Sequence, residues 1–178
     1  MKFSRAEIPD IIIIEPDVFT DERGYFFESF KQDELNDYLG YNINFCQDNE
    51  SESSYGVLRG LHYQLNPYAQ SKLVRVIKGK VLDVSVDIRI GSPTFGKHLA
   101  VELSEENKKQ LFIPKGFAHG FVVLSETAIF CYKVDNYYDK ESDRGIAYND
   151  PNLEINWKIK NEDMKISNKD ITLPSLKF

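Results

Sequence analysis

The sequence predicts an all-β protein, folded as a jelly-roll barrel with a few short helices. Short runs of β-branched and aromatic residues recur along the chain, and turn residues separate them. Many short strands at near-regular spacing are typical of closed barrels and two-sheet jelly rolls. The chain has 178 residues, of which 42% are hydrophobic, and this is enough for one good core. We therefore expect a single domain over residues 1–178.

The individual elements follow from these runs and from the turns between them. The sequence predicts a tight turn at residues 21–24 and a hairpin turn at residues 78–80. One helix is expected over 32–39, ended by Gly40, and a short helical turn over 139–143. The expected strands are 11–15, 25–30, 43–49, 57–64, 72–78, 80–89, 97–103, 110–113, 119–124 and 127–135.

Composition excludes several classes of protein. The net charge of −6 gives no global attraction for nucleic acid, so any anionic ligand must be met by a local cluster of cations. No run approaches the roughly 18 apolar residues of a membrane span, and the isoleucines at 11–14 are too few for a signal-peptide core. We expect a cytoplasmic protein without membrane contact. Cys46 and Cys131 are expected to be buried free thiols in a reducing compartment.

The first candidate for chemistry is His62, in the segment Gly-Val-Leu-Arg-Gly-Leu-His-Tyr-Gln that begins at Gly56. Histidine is the usual general base at neutral pH. Alternation along a strand places His62 and Gln64 on one face. Polar side chains inside a barrel are costly unless they serve a ligand. We interpret His62 as a base, against the alternative of a histidine satisfied within the core.

Lys72 opens the next expected strand. Alternation places Lys72, Val74 and Val76 on one face of that strand, and the residues between them on the other. An inward-pointing Lys72 could stabilise negative charge on an enolate or carbonyl oxygen. The alternative is a lysine on a solvated face.

Residues 114–121 resemble the second half of the cupin signature, Pro-x-Gly-x-x-His, which ends at His119, and residues 56–62 resemble the first half. Metal-binding cupins continue with His-x-His and then a glutamate. Here Gln64 replaces the second histidine, and Lys72 stands in the stretch where the glutamate is missing. Two histidines beside an ammonium are a poor cation site. We expect a cupin-type barrel that lacks its metal.

Three further residues complete the candidates. Tyr132 lies in the last expected strand, where its phenol could donate a proton to a carbanion or pack in the core. Tyr138 follows that strand, and an aromatic ring at a barrel mouth could stack on a nucleobase. Asp170 could orient His62 and stabilise its imidazolium, although an ordinary polar loop has the same composition. The third histidine, His98, is expected on an exposed edge strand.

Over nearly its whole length the chain resembles the dTDP-4-dehydrorhamnose 3,5-epimerases, a family of cofactor-independent sugar-nucleotide epimerases. The most specific matches are Arg-Gly-Leu-His-Tyr-Gln at 59–64 and Pro-x-Gly-Phe-Ala-His-Gly-Phe at 114–121. The other matching segments are 21–28, 47–49, 72–86, 91–97, 132–136 and 167–170. The resemblance implies a homodimer in which the N-terminal strands cross to the partner subunit.

The resemblance also implies roles for the matching residues. His62 would accept a proton with the help of Asp170, and Tyr132 would donate one on the opposite face of the sugar. Lys72 would stabilise the enolate. Tyr138 would stack on thymine. The other residues implied to contact substrate are Gln47, Asn49, Arg59, His119, Lys169, Asp143 (where the family often has Glu) and, reaching the neighbour's site, Arg23 and Glu28.

The implied reaction converts dTDP-4-dehydro-6-deoxy-D-glucose to dTDP-4-dehydro-L-rhamnose. The C4 carbonyl of this sugar acidifies the protons on C3 and C5, so the substrate supplies its own electron sink. Four alternatives stay open. They are an epimerase of a single centre or of another nucleotide sugar, a 3,4-ketoisomerase, a metal-binding cupin, and a sugar-nucleotide-binding module without turnover.

Overall fold

A computed structural model describes residues 1–177 of the protein as two facing β-sheets with short helices outside them. The helices are α1 (Gln32–Leu39) and α2 (Asn168–Ile171), with a 3₁₀ turn at Asn161–Asp163. The strands are β1 (Lys2–Arg5), β2 (Ile12–Glu15), β3 (Phe19–Asp21), β4 (Gly24–Phe26), β5 (Gln47–Ser54), β6 (Val57–Gln64), β7 (Lys72–Lys78), β8 (Lys80–Asp87), β9 (His98–Ser104), β10 (Gln110–Ile113), β11 (Phe117–Val123), β12 (Thr127–Val134), β13 (Asp143–Gly145) and β14 (Lys165–Ile166).

The strand order confirms the all-β, cupin-like jelly roll. The first sheet runs β1-β2-β10-β7-β12-β5, and the second runs β13-β6-β11-β8-β9, with β14 parallel to β6. Strands that are distant in the sequence are neighbours, as β5 and β12 are in one sheet and β6 and β11 in the other. Such antiparallel long-range pairing between two packed sheets is typical of jelly rolls. β3 and β4 form a separate hairpin.

Most elements lie where the sequence predicts them. β6, β7, β10 and α1 have the expected bounds. Gly40 ends α1 in the left-handed region, at φ 77°, and its N–H donates to the Asn36 carbonyl over 2.9 Å. β8, β9, β11 and β12 differ from the expected segments only by one or two residues at an end.

Two predicted elements are wrong. The strand expected over 43–49 lies at 47–54, because that polar run pairs along the whole of β12, while Ile43 and Phe45 pack outside the first sheet. The strand expected over 25–30 is only the second half of the β3–β4 hairpin. The helical turn expected over 139–143 is a single turn, with hydrogen bonds from the Ser142 N–H to the Asp139 carbonyl and from the Asp143 N–H to the Lys140 carbonyl.

Three apolar clusters hold the layers together. One lies between the sheets and includes Val74, Phe121 and Phe130. The second joins the outer face of the second sheet to the C-terminal segment through Trp157 and its neighbours. The third packs α1 on the outside of the first sheet. Ile12 and Ile14 belong to this third cluster, so the isoleucine-rich strand is covered by the chain's own helix.

Both cysteines are free, but neither is buried. Cys46 is exposed and Cys131 is partly exposed, because the Cys131 thiol points toward Glu50 on the outer side of the sheet. The expectation of buried thiols is therefore wrong. His98 lies on β9, an edge strand as expected, but it is half-buried and not exposed as expected. Among residues 1–177, no helix combines the length and apolar character needed to cross a membrane.

Candidate active site

A cavity of about 580 Å³ opens between the two sheets. The first sheet contributes Lys72 from β7 and Tyr132 from β12, and the second contributes His62 from β6. The predicted site residues that line this cavity are Asn49, Arg59, His62, Lys72, His119, Tyr132, Lys169 and Asp170. A cavity of about 700 Å³ near Tyr63 contains none of the predicted site residues.

A bulge in β6 brings Arg59 and His62 to the same cavity. His119 pairs with His62, and Phe121 with Arg59, so two steps along β11 span three along β6. One extra residue reverses the strand alternation, which would otherwise point Arg59 away from His62. The backbones approach closely here, since a Cβ on Gly60 would lie 2.5 Å from the Gly120 Cα. Only glycines allow this crossing.

His62 is held by Asp170. Its Nε2 lies 2.7 Å from Asp170 Oδ1, and the other carboxylate oxygen accepts the Gly60 N–H over 3.3 Å. Asp170 is buried in α2, whose first turn is fixed by the Ser167 Oγ accepting the Asp170 N–H over 3.1 Å. A carboxylate at Nε2 makes that nitrogen the donor, so the Nδ1 lone pair of a neutral His62 is available to accept a proton.

Lys72 presents an unpaired ammonium group to the cavity. Within residues 1–177 its Nζ has no hydrogen bond and no carboxylate within 4.0 Å. Burial lowers the pKa of Lys72 to about 8, against the opposing effect of the negative charges of Asp83 and Asp143. The side chain is therefore largely protonated at neutral pH and is free to meet an oxyanion.

Tyr132 faces His62 from the opposite sheet. Its hydroxyl makes no hydrogen bond to the described part of the chain, and its ring packs at the edge of the inter-sheet core near Phe130. Burial raises the pKa of Tyr132, while the positive charge of Arg59 opposes the rise. The phenol therefore keeps its proton at neutral pH and can donate it to a carbanion.

His119 has a carboxylate partner that sequence reasoning did not find. Its Nε2 lies 2.8 Å from Asp83 Oδ2, and both side chains are buried. Burial lowers the pKa of His119, and the nearby Asp83 opposes this effect. The sequence carries a signal for Asp83, because polar residues at 83, 85 and 87 alternate with valines along β8.

The mouth of the cavity carries a cluster of Tyr138, Asp143 and Lys169. The Tyr138 hydroxyl donates to Asp143 Oδ2 over 3.2 Å, and Lys169 Nζ donates to the same oxygen. This hydrogen bond raises the pKa of Lys169. The Tyr138 ring is exposed, so one of its faces can receive a planar group. Lys165, which the sequence did not single out, adds another cation to the lining.

Gln64 anchors the loop that carries this cluster. Its Nε2 donates to the carbonyl oxygens of Tyr68, over 2.7 Å, and Tyr137, over 3.1 Å. Its Oε1 accepts the Asp139 N–H over 2.7 Å. The side chain is buried and lies away from the His62 cavity. The residue that replaces a metal-binding histidine of the cupin signature therefore holds a loop in place.

Five predicted residues are absent from the cavity lining: Tyr138 and Asp143, which reach its mouth through Lys169, and three that lie farther away. Arg23 is exposed at the tip of the β3–β4 hairpin and is paired with Asp21, and Glu28 is exposed beyond that hairpin. Gln47 does not line the cavity, but its Nε2 donates over 2.8 Å to Oδ1 of Asn49, which does. Within residues 1–177, no group of three or more His, Cys, Asp or Glu side chains is arranged to hold a metal ion.

Comparisons with known proteins match the sequence and the fold of this chain. A family model described as dTDP-4-dehydrorhamnose 3,5-epimerase matches residues 5–177. The Shigella flexneri epimerase of that name is 56% identical over 96% of this chain and 93% of its own. The crystal structure of the Elizabethkingia anophelis epimerase superposes with a TM-score of 0.95 at 54% identity, covering 98% of this chain and 96% of that one.

A further solved structure holds a sugar nucleotide. It is a dTDP-6-deoxy-D-glucose-3,5-epimerase from Legionella pneumophila in complex with dTDP-4-keto-L-rhamnose, with a TM-score of 0.94 and 50% identity over 98% of this chain and 92% of its own. A base and an acid on facing walls, with a cation in the same cavity, are what an isomerase that moves protons requires. The protein is such an isomerase. The chain belongs to the dTDP-4-dehydrorhamnose 3,5-epimerase family.

Proposed function

We propose that the protein inverts C3 and C5 of dTDP-4-dehydro-6-deoxy-D-glucose, giving dTDP-4-dehydro-L-rhamnose for dTDP-rhamnose biosynthesis, without a cofactor. One observation carries the proposal. His62 and Tyr132 project from facing sheets into one cavity, and the unpaired ammonium of Lys72 lines the same cavity. The sugar nucleotide bound to the Legionella relative has the chemistry of the proposed product.

The first step is removal of a proton next to the C4 ketone. The Nδ1 lone pair of His62 takes the proton, and the Asp170 carboxylate stabilises the imidazolium that forms. The electrons move onto the C4 oxygen, where the Lys72 ammonium stabilises the enolate. A positioned base contributes about 10²–10⁴-fold to the rate.

The second step returns a proton from the other face. Tyr132 donates its phenolic proton to C5 of the enolate, so the configuration there is inverted, and the phenolate is reprotonated from solvent. The His62 imidazolium releases its proton to solvent, and a second deprotonation and reprotonation then inverts C3. The raised pKa of Tyr132 favours this role, because the phenol must hold its proton until the enolate forms.

The nucleotide is held by the groups around the mouth. The overall charge is −6, so the diphosphate depends on local cations, and Arg59, Lys165 and Lys169 are available at the cavity. Tyr138 stacks on the thymine ring. Asn49 and His119 line the cavity and bind the sugar hydroxyls. Gln47 holds Asn49 in place through a hydrogen bond.

The protein acts as a homodimer of single-domain subunits in the cytoplasm. The exposed β3–β4 hairpin carries Arg23, followed by Glu28, and it pairs with no other described strand, which suits exchange with a second subunit. Arg23 and Glu28 then serve the partner's cavity. The free thiols Cys46 and Cys131 suit a reducing compartment.

Incubation of the purified protein with dTDP-4-dehydro-6-deoxy-D-glucose in D₂O tests the proposal. NMR is expected to show one deuterium at C3, one at C5, and inversion at both. Label at one centre only would mean a single-centre epimerase, and a 3-keto product would mean a ketoisomerase. Thermal stabilisation by dTDP without any exchange would mean a binding module.

A further inference from the structure

The buried carboxylate of Asp83 has no part in the steps above. Asp83 is fully buried, on β8. On this strand Leu82, Val84 and Val86 belong to the apolar cluster outside the second sheet, whereas Val81 belongs to the cluster between the sheets. Alternation therefore turns Asp83 inward, toward the space that the catalytic cavity occupies.

Asp83 is poorly compensated by its immediate neighbours. One oxygen accepts the His119 Nε2–H at 2.8 Å. The other oxygen, Oδ1, is buried without a partner in the described chain, as is the Ser85 hydroxyl two residues along the same face. No lysine or arginine lies within 4.0 Å of Asp83 among residues 1–177. A buried carboxylate is costly unless a nearby positive charge or further hydrogen bonds compensate it.

Lys72 likewise has no carboxylate within 4.0 Å among residues 1–177. It enters the space between the sheets from β7, on the same face as Val74 and Val76 of the inter-sheet core. Lys72 and Asp83 thus project from opposite sheets, and both border His119, which bonds Asp83 and lines the cavity with Lys72. Within residues 1–177, each group is a buried or half-buried charge with no lysine, arginine or carboxylate of opposite sign within 4.0 Å.

We propose that Asp83 is a positioning residue that supplies the buried negative charge which keeps Lys72 an ammonium ion during catalysis. Asp83 also fixes His119 in the tautomer that donates from Nε2 and leaves Nδ1 as an acceptor toward the cavity. The catalytic meaning of this inference rests on the proposed function, but the electrostatic coupling of the two side chains does not.

The pKa of Lys72 agrees with this arrangement. Burial lowers it to about 8, and among the charges that hold it up Asp83 is the largest and Asp143 the next. Asp143 is itself paired with Lys169, whereas the hydrogen-bond partner of Asp83 among residues 1–177 is His119, whose pKa is lowered by burial. The other titratable groups that line the cavity around Lys72 are Glu50, Arg59, His62, His119, Tyr132, Lys165, Lys169 and Asp170.

The variant Asp83→Asn separates charge from shape. Asparagine has the same size, and its Oδ1 can still accept the His119 N–H bond. The pKa of Lys72 is measured by the ¹³Cε chemical shift of labelled lysine, assigned with Lys72→Arg. In Asp83→Asn the pKa of Lys72 is expected to fall by about one pH unit, because a nearby opposite charge is lost. The matched control is Ser85→Ala, which removes a buried polar group of the same strand face, and it is expected to leave the titration unchanged.

Kinetics give the catalytic readout. Activity requires the charged lysine, so kcat/KM falls as the pH rises through the pKa of Lys72. In Asp83→Asn this basic limb is expected to move about one unit lower, which reduces kcat/KM at pH 8.5 by roughly ten-fold. A purely structural role would lower kcat/KM equally at all pH values.

An unchanged Lys72 titration in folded Asp83→Asn would overturn the inference, whether or not the enzyme is a 3,5-epimerase. A protein that shows the titration shift but no deuterium exchange would instead overturn the proposed function alone. If Asp83→Asn does not fold, the wild type supplies the test. The ¹³Cγ signal of Asp83 must then show an inflection at the pH midpoint of Lys72 that disappears in Lys72→Met, and its absence would overturn the coupling.

Discussion

His62 and Asp170 stand 108 positions apart in the chain, and their Nε2 and Oδ1 atoms lie 2.7 Å apart in the cavity. The contact depends on α2, a single helical turn whose Ser167 cap turns Asp170 toward β6. The C-terminal segment therefore completes a site whose other walls are strands of the two sheets.

Replacing Asp170 with asparagine tests this pair. Asp170→Asn removes the charge that stabilises the imidazolium, so kcat is expected to fall by about 10²–10⁴-fold with little change in KM. Steady-state kinetics provide the measurement. Asn168→Ala, an exposed change in the same helix, serves as the control and should keep full activity. A fully active Asp170→Asn would show that His62 works without this carboxylate.

Gln64 is expected to govern nucleotide binding rather than chemistry. Gln64→Leu leaves the Asp139 N–H and two carbonyl groups without partners and loosens the loop that carries Tyr138. We expect KM for the sugar nucleotide and Kd for dTDP to rise about ten-fold, with kcat within about three-fold of wild type.

The matched comparison for this variant is Gln70→Leu. Gln70 holds the same loop, between β12 and β13, by a single hydrogen bond from its Nε2 to the Asn136 carbonyl. The rise in KM for Gln70→Leu should therefore be smaller. A variant at Gln64 that lost only stability, with unchanged KM, would contradict the positioning role.

Mixed dimers test whether Arg23 acts on the partner's cavity. Arg23→Ala and His62→Ala subunits should each be inactive or impaired alone. When they are co-expressed, each mixed dimer has one intact site, so random pairing should restore about a quarter of wild-type activity. The control mixes His62→Ala with Tyr132→Phe, two changes in one chain's cavity, and should restore nothing. No recovery in the first mixture would place Arg23 outside the partner's site.

Asp87 is expected to control stability in acid. Burial alone would raise its pKa, but hydrogen bonds from Arg89, Ser92 and Thr94 hold it well below the usual range. A carboxyl with a depressed folded-state pKa stabilises the protein above its unfolded pKa, near 4, and this stability is lost as the pH falls toward the folded value.

Asp87→Asn removes the charge that these donors surround. The free energy of unfolding at pH 7 should therefore drop by about 2 kcal/mol, and the loss should shrink below pH 4. Urea denaturation at both pH values measures this, with Asp48→Asn on the exposed face of β5 as the control. An equal loss at both pH values would contradict the electrostatic explanation.

Hydrophobic alternation and turn residues predicted much of the fold, because both are signals between neighbouring positions in the sequence. The alternation grouped Lys72 with Val74 and Val76 on one face of β7, and the structure shows that this face points inward. The alternation could not predict that Arg59 joins His62, since the bulge depends on Gly60 meeting Gly120 across the sheet. The polar run of β5 was misplaced because its strand conformation comes from pairing with β12. Asp83 was missed for a similar reason, as its partner lies on another strand.

We propose that His62 and Tyr132 act from opposite walls of one cavity. The decisive measurement is NMR of the sugar nucleotide recovered after incubation with Tyr132→Phe in D₂O. With His62 intact, deuterium should enter at C5 while the original configuration is kept, because only the proton donor on the far wall is lost. Inversion at C5 at the wild-type rate would contradict the account.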